Sequence, residues 1–161
     1  IVVMTTKDYS STTSKMFLFL VLGSLGVGFC EEMATRGLLI VGLRGSMTEG
    51  KVLVWSCVLF GLIHLPNWAF GAGPAAVFQV LVAAASGCTL YLMRRGTGSL
   101  IPAMVLHGVW DFSSFAGEGS GALGAANWAF SIISIILCIV LLRVRRNDDL
   151  APYAAKHAAA A

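Results

Sequence analysis

The sequence predicts an all-α, polytopic transmembrane helix bundle, and three observations carry that reading. Hydrophobic residues make up 57% of the chain and charged residues only 12%, with a mean hydropathy of +0.82, against roughly 25% charged residues in soluble domains. The apolar residues fall into about five runs, each near the roughly 20 residues that a helix needs to cross a bilayer. Lys and Arg gather in alternate loops between those runs, the asymmetry that sets orientation in a membrane.

Residues 1–14 are polar and rich in Ser and Thr, without a helical apolar stripe, and are expected to form a loop. Span A is expected from Lys15 to about Leu43, too long to cross straight, so that it must tilt, kink or emerge. Its Gly23, Gly26 and Gly28 predict close helix contact. After the polar loop Arg44–Lys51, span B runs from Val52 to about Phe70, with Pro66 expected to kink or end its helix. Span C covers Pro74–Met93, with Gln79 as its strongly polar side chain, and closes on the basic turn around Arg94 and Arg95. Span D covers Ser99–Phe115, and a Gly-rich loop at 116–125 leads to span E, Asn127–Leu142. The whole of 15–146 reads as one transmembrane core, and 147–161 as a cytoplasmic tail whose alanine-rich end is low in complexity.

The loops A–B and C–D and the segment after span E hold Arg44, Lys51, Arg94, Arg95, Arg143, Arg145 and Arg146, whereas B–C and D–E hold no Lys or Arg. Five alternating spans then put the N-terminus outside and the C-terminus in the cytoplasm, in a multi-pass protein of a bacterial-type plasma membrane. The net charge of +3 forms no basic stripe with interleaved aromatics, which argues against nucleic acid as a partner. Cys30, Cys57, Cys88 and Cys138 are far apart, without a CxxC pair, and read as buried thiols. Trp55, Trp68, Trp110 and Trp128 read as interface anchors or packing. The chain opens on Ile1 without a visible leader, and a piece of a larger bundle is expected.

Ionisable groups at membrane depth are costly, about 2.5–3.5 kcal/mol for an acidic side chain at a helix centre, so each requires a partner or a purpose. Span A carries Glu31, Glu32 and Arg36, span B carries His64, and span D carries His107 and Asp111. Glu32 and Arg36 have the i,i+4 spacing of a helical ion pair and are assigned to structure. Glu31 points about 100° away on the same helix and is assigned to chemistry. Helices that turn these faces inward would gather carboxylates and imidazoles around one polar cavity. That is the make-up of a hydrolytic site: a carboxylate takes a proton from water, one imidazole orients the water, and a second stabilises an oxyanion.

Glu31-Glu32-xxx-Arg36, Phe60-xxx-His64 and His107-xxx-Asp111, in that order on successive spans, resemble the three motifs of the CPBP intramembrane proteases. That family takes in the type II CAAX prenyl endopeptidases and bacterial Abi proteins. Leu65-Pro66-Asn67 after the second motif and Gly98-Ser99-Leu100-Ile101-Pro102-Ala103 before the third add to the match, which covers about residues 16–115. The resemblance implies an endopeptidase acting on membrane-associated proteins or peptides, CAAX-like tails among them, in a lipid bilayer. It implies that Glu31 and His64 activate water while His107 and residue 111 serve the oxyanion, with Glu32, Arg36 and Phe60 in support. Aspartate at 111 departs from the asparagine of the CAAX endopeptidases. Either Asp111 is held protonated, or it orients His107 as a carboxylate.

No cofactor is expected. One rival reading is a zinc protease with His64, His107 and Glu31 as ligands and an open position for water, although the HExxH pair is absent. The other is a transporter or non-catalytic scaffold in which the same groups form a proton or ion path.

Overall fold

The computed structural model describes residues 8–10, 12–116 and 122–144, and among them every regular element is helical. The terminal residues 1–7 and 145–161, the middle of the Gly-rich loop at 117–121, and the side chain of Trp128 lie outside the described residues, and with them the expectations for the tail and most of the N-terminal loop.

Helix α1, Ser14–Glu32, starts where Thr13 caps it, its Oγ1 accepting from the Met16 N–H at 3.3 Å. It passes into a π-helical segment, Met33–Leu39, and then into α2, Ile40–Arg44. Span A is therefore one continuous helix of 31 residues with a widened turn placed directly after the Glu pair. Within that turn the Thr35 hydroxyl donates to the Glu31 carbonyl at 2.6 Å, a side-chain bond that competes with the regular ladder. Such π turns inside α-helices are frequent at functional sites.

Helix α3, Glu49–Leu62, ends ahead of Pro66 as expected, and a 3₁₀ turn follows at Leu65–Trp68. Helix α4, Ala75–Thr97, is closed by Gly98 in the left-handed conformation at φ 68°, a conformation open to glycine. Helix α5 is Ile101–Phe115, with Pro102 in its first turn, and α6 is Ala122–Val144, starting five residues before the expected Asn127.

Among the described residues, three of the five spans expected are long and apolar enough to cross a membrane by length and composition: Ser14–Arg44, Glu49–Trp68 and Ala75–Thr97. Helix α5 has 15 residues, about 22 Å at 1.5 Å per residue, which is short of a hydrocarbon core of about 30 Å. The described apolar part of α6 is Ala129–Val140.

The packing is that of a membrane bundle. Large apolar side chains such as Phe19, Leu22, Leu38, Leu81 and Ile133 face outward, while α1 buries a narrow seam of Ser24, Gly28 and Glu32, continued by Thr35, Arg36 and Ile40. Small residues let helix backbones meet in such a bundle. A Cβ on Gly28 would lie 2.7 Å from the Met104 carbonyl and 2.8 Å from the Gly108 nitrogen, and one on Gly61 would lie 2.6 Å from the Val80 carbonyl. These two positions bring α1 onto α5 and α3 onto α4. Gly23 and Gly26 have no neighbour within 4 Å, so of the three glycines expected to make close contact only Gly28 does. They lie on the outward face, where the backbone meets no other helix.

A further polar cluster joins α3 to α4. Arg44 Nε donates to Glu49 at 3.0 Å, and the Tyr91 hydroxyl donates to the same carboxylate. Cys57 and Cys138 are buried as expected, but Cys30 is exposed, because it lies outside the inward seam of α1. Trp110, expected as an interface anchor or in packing, lines a cavity.

Candidate active site

The seam of α1 and the 3₁₀ turn after α3 bring the candidate side chains together. Glu32 and Arg36 pair at 2.9 Å, with both side chains fully buried. A buried ion pair needs further hydrogen bonds to offset its desolvation. Arg36 finds them in the Thr35 hydroxyl at 2.8 Å and the Gly87 carbonyl of α4 at 3.2 Å, and its guanidinium stacks 3.9 Å above the Phe60 ring. Gly87 gives the guanidinium room here: a Cβ would stand 3.0 Å from Arg36 Nη2 and 3.4 Å from the Cys57 Cα.

Glu32 does more than balance Arg36. Its Oε1 also accepts from His107 Nδ1 at 3.0 Å, so the carboxylate fixes the tautomer and orientation of that ring. Sequence spacing assigned Glu32 mainly to structure, and the departure at 111 left Asp111 either protonated or orienting His107 as a carboxylate. Asp111 Oδ2 is 3.6 Å from His107 Nε2, beyond hydrogen-bond length, and Glu32 holds the other nitrogen. The helix approach at Gly28 and Gly108 makes the contact, since Glu32 is one turn beyond Gly28 and His107 immediately precedes Gly108.

The second imidazole is held by its own segment. His64 Nδ1 donates to the Phe60 carbonyl at 2.9 Å, which leaves Nε2 as the acceptor. Phe60, 2% exposed, packs against both imidazoles: its ring lies edge-to-face against His64 at 5.3 Å and against His107 at 5.6 Å.

Glu31 stands between the two rings. Its Oε2 is 3.8 Å from His64 Nε2 and 3.8 Å from His107 Nε2, and this buried oxygen has no hydrogen-bond partner. Separations of that size exclude direct bonds and suit a bridging water molecule. His64, His107 and Asp111 line one cavity of about 370 Å³, walled otherwise mainly by apolar residues of α3, α4, α5 and α6, within the range of ligand pockets.

The alternative zinc ligands, His64, His107 and Glu31, fit an ion less closely. Donors held tetrahedrally at about 2.0–2.2 Å from zinc stand about 3.3 Å apart, against 3.8 Å from the Glu31 oxygen to each nitrogen. Among the described residues no group of three or more His, Cys, Asp or Glu side chains is gathered to hold a metal.

Two features were not legible in the sequence: the Glu32–His107 bond, and the packing of Phe60 against both imidazoles. Both join residues on different helices, and one sequence alone carries no signal of such pairs.

No curated protein and no solved structure matches the chain. A family model does: type II CAAX prenyl endopeptidase Rce1-like, over residues 13–113. The matched region takes in every candidate site residue.

Proposed function

The chain belongs to the type II CAAX prenyl endopeptidase Rce1-like family, an intramembrane protease of CAAX type, and on that premise we propose that it cleaves peptide bonds by a glutamate-activated water. The observation that carries the proposal is the position of Glu31 Oε2, unpartnered and 3.8 Å from both imidazole Nε2 atoms. A water held there gives one proton toward Glu31 and the other toward His64 Nε2, leaving an oxygen lone pair for the scissile carbonyl.

Attack forms a C–O bond and moves the carbonyl electrons onto oxygen. His107, with Nδ1 given to Glu32, presents Nε2 to the cavity; carrying a proton, it donates to that oxyanion. Asp111 flanks this nitrogen. Collapse breaks the C–N bond, and the proton held by Glu31 passes to the leaving amine. No acyl-enzyme forms and no metal takes part. The substrates are membrane-associated proteins or peptides, with CAAX-like tails as the first to try, bound in a cavity whose apolar walls suit a lipidic or apolar segment. In the bilayer the Arg44–Lys51 and Arg94–Arg95 segments and the C-terminus face the cytoplasm.

The experiment is a peptidase assay on purified protein in detergent, with a prenylated CAAX peptide and an unmodified membrane peptide. Cleavage that Glu31→Gln abolishes supports the mechanism; full turnover by that variant refutes it. Transport of protons or ions in proteoliposomes, without cleavage, would favour the transporter reading.

A further inference from the structure

Gln79 is a strongly polar side chain in the N-terminal half of α4, and no step of the proposed reaction uses it. Its oxygen accepts a hydrogen bond from Asn67 Nδ2 at 2.9 Å, and it lines the same cavity as His64 and Asp111. The connection that holds Asn67 also holds His64. Helix α3 stops at Leu62 and α4 begins at Ala75, so His64 stands just beyond a helix end, where its backbone lacks the regular ladder. Across 63–74 every residue is exposed except His64, Asn67 and Gly73. Asn67 is thus the polar side chain that turns inward beside His64.

The bonds make a short chain of constraint. The Asn67 N–H donates to the His64 carbonyl at 3.1 Å, and the Ala72 N–H donates to the Asn67 carbonyl at 3.0 Å. The side chain of Asn67 then ties this turn to α4. On its other side the His64 ring is held by the Phe60 carbonyl of α3. His64 is therefore fixed from α3 through its ring and from α4 through Asn67. We infer that Asn67 and Gln79 are a positioning pair that sets the His64 imidazole against Glu31, and that Gln79 acts through Asn67 and not on the substrate. This rests on the reading of His64 as the residue that orients the attacking water. A displacement of about 1 Å in such a group lowers turnover by about 100-fold, which gives the pair a size that an assay can read.

The test uses the full chain in detergent with Asn67→Ala, Gln79→Leu and the exchange Asn67→Gln with Gln79→Asn, which moves one methylene across the bond and keeps its reach. Each single variant should lower kcat by about 10–100-fold with KM within a few fold, and the exchange should restore most of it. Independently of turnover, the ¹⁵N-histidine line of His64, assigned by its loss in His64→Asn, should shift in the single variants and return in the exchange. Unchanged kcat and an unmoved His64 line in the single variants would overturn the inference, as would a rise confined to KM, which would make Gln79 a substrate contact. A loss that the exchange fails to repair would overturn it too. Glu31→Gln run alongside separates the two failures: inactive Glu31→Gln with indifferent Asn67 and Gln79 variants removes only the positioning pair, whereas an active Glu31→Gln removes the mechanism beneath it.

Discussion

The Glu32 carboxylate accepts a hydrogen bond from His107 Nδ1 at 3.0 Å, across 75 residues of sequence, while the same oxygen holds Arg36 at 2.9 Å. One fully buried oxygen thus ties the inward seam of α1 to the imidazole of α5. Both acids keep a buried Oε2 without a hydrogen-bond partner, but that of Glu31 stands 3.8 Å from the Nε2 atoms of His64 and His107. Adjacent acids on one helix turn have been given different surroundings, and opposite consequences of mutation follow.

Glu31→Gln keeps size and most hydrogen bonding but removes the base. Turnover should fall by about 10²–10⁴-fold, with folded yield and thermal stability in detergent unchanged. Single-turnover cleavage measured beside a melting curve checks both halves.

Glu32→Gln should instead damage the fold. It leaves the buried Arg36 cation without its counter-charge, a loss of about 3–5 kcal/mol for breaking such a pair, and weakens the hold on His107. Size-exclusion recovery and melting temperature should drop well below those of Glu31→Gln.

Gly28→Ala should separate α1 from α5, since its Cβ would fall 2.7 Å from a backbone carbonyl that cannot step aside. Overpacking of this kind costs about 1–3 kcal/mol, and turnover should fall with it because Glu32 and His107 meet across this contact. Gly23→Ala, with no neighbour within 4 Å, should cost neither stability nor activity. Equal effects of the two substitutions on melting temperature would contradict the close approach.

Metal content separates the protease chemistries. With water activated by Glu31 and His64, the purified protein should carry no stoichiometric zinc by elemental analysis, and dialysis against chelator should leave turnover intact. One zinc per chain, with activity lost on its removal and restored by its return, would decide for the metalloprotease, since such an ion both acidifies its water and polarises the carbonyl.

Orientation is read by cysteine labelling in a Cys-free background. Probes at 45–48 and 96–98 should react from the cytoplasmic side, and probes at 69–73 from the opposite side. The reverse pattern would invert the topology.

The membrane character, the helical class, the break before Pro66 and the Glu32–Arg36 pair are all legible in the amino-acid sequence. These rest on composition, on the cost of a polar backbone in lipid and on i,i+4 spacing, all local properties. It also singled out Glu31, His64, His107 and Asp111, because ionisable groups are rare in apolar runs. What each of them touches follows from how the helices pack. Glu32, and not Asp111, became the partner of His107 because Gly28 and Gly108 let α1 and α5 meet at that level, and Phe60 packs against both imidazoles from α3. Gly23, Gly26 and Cys30 fell on the outward side of α1, where the same residue types have no helix to meet. A helix sequence fixes which residues share a face. Which face meets which partner, and at what height, depends on close packing between segments distant in the chain.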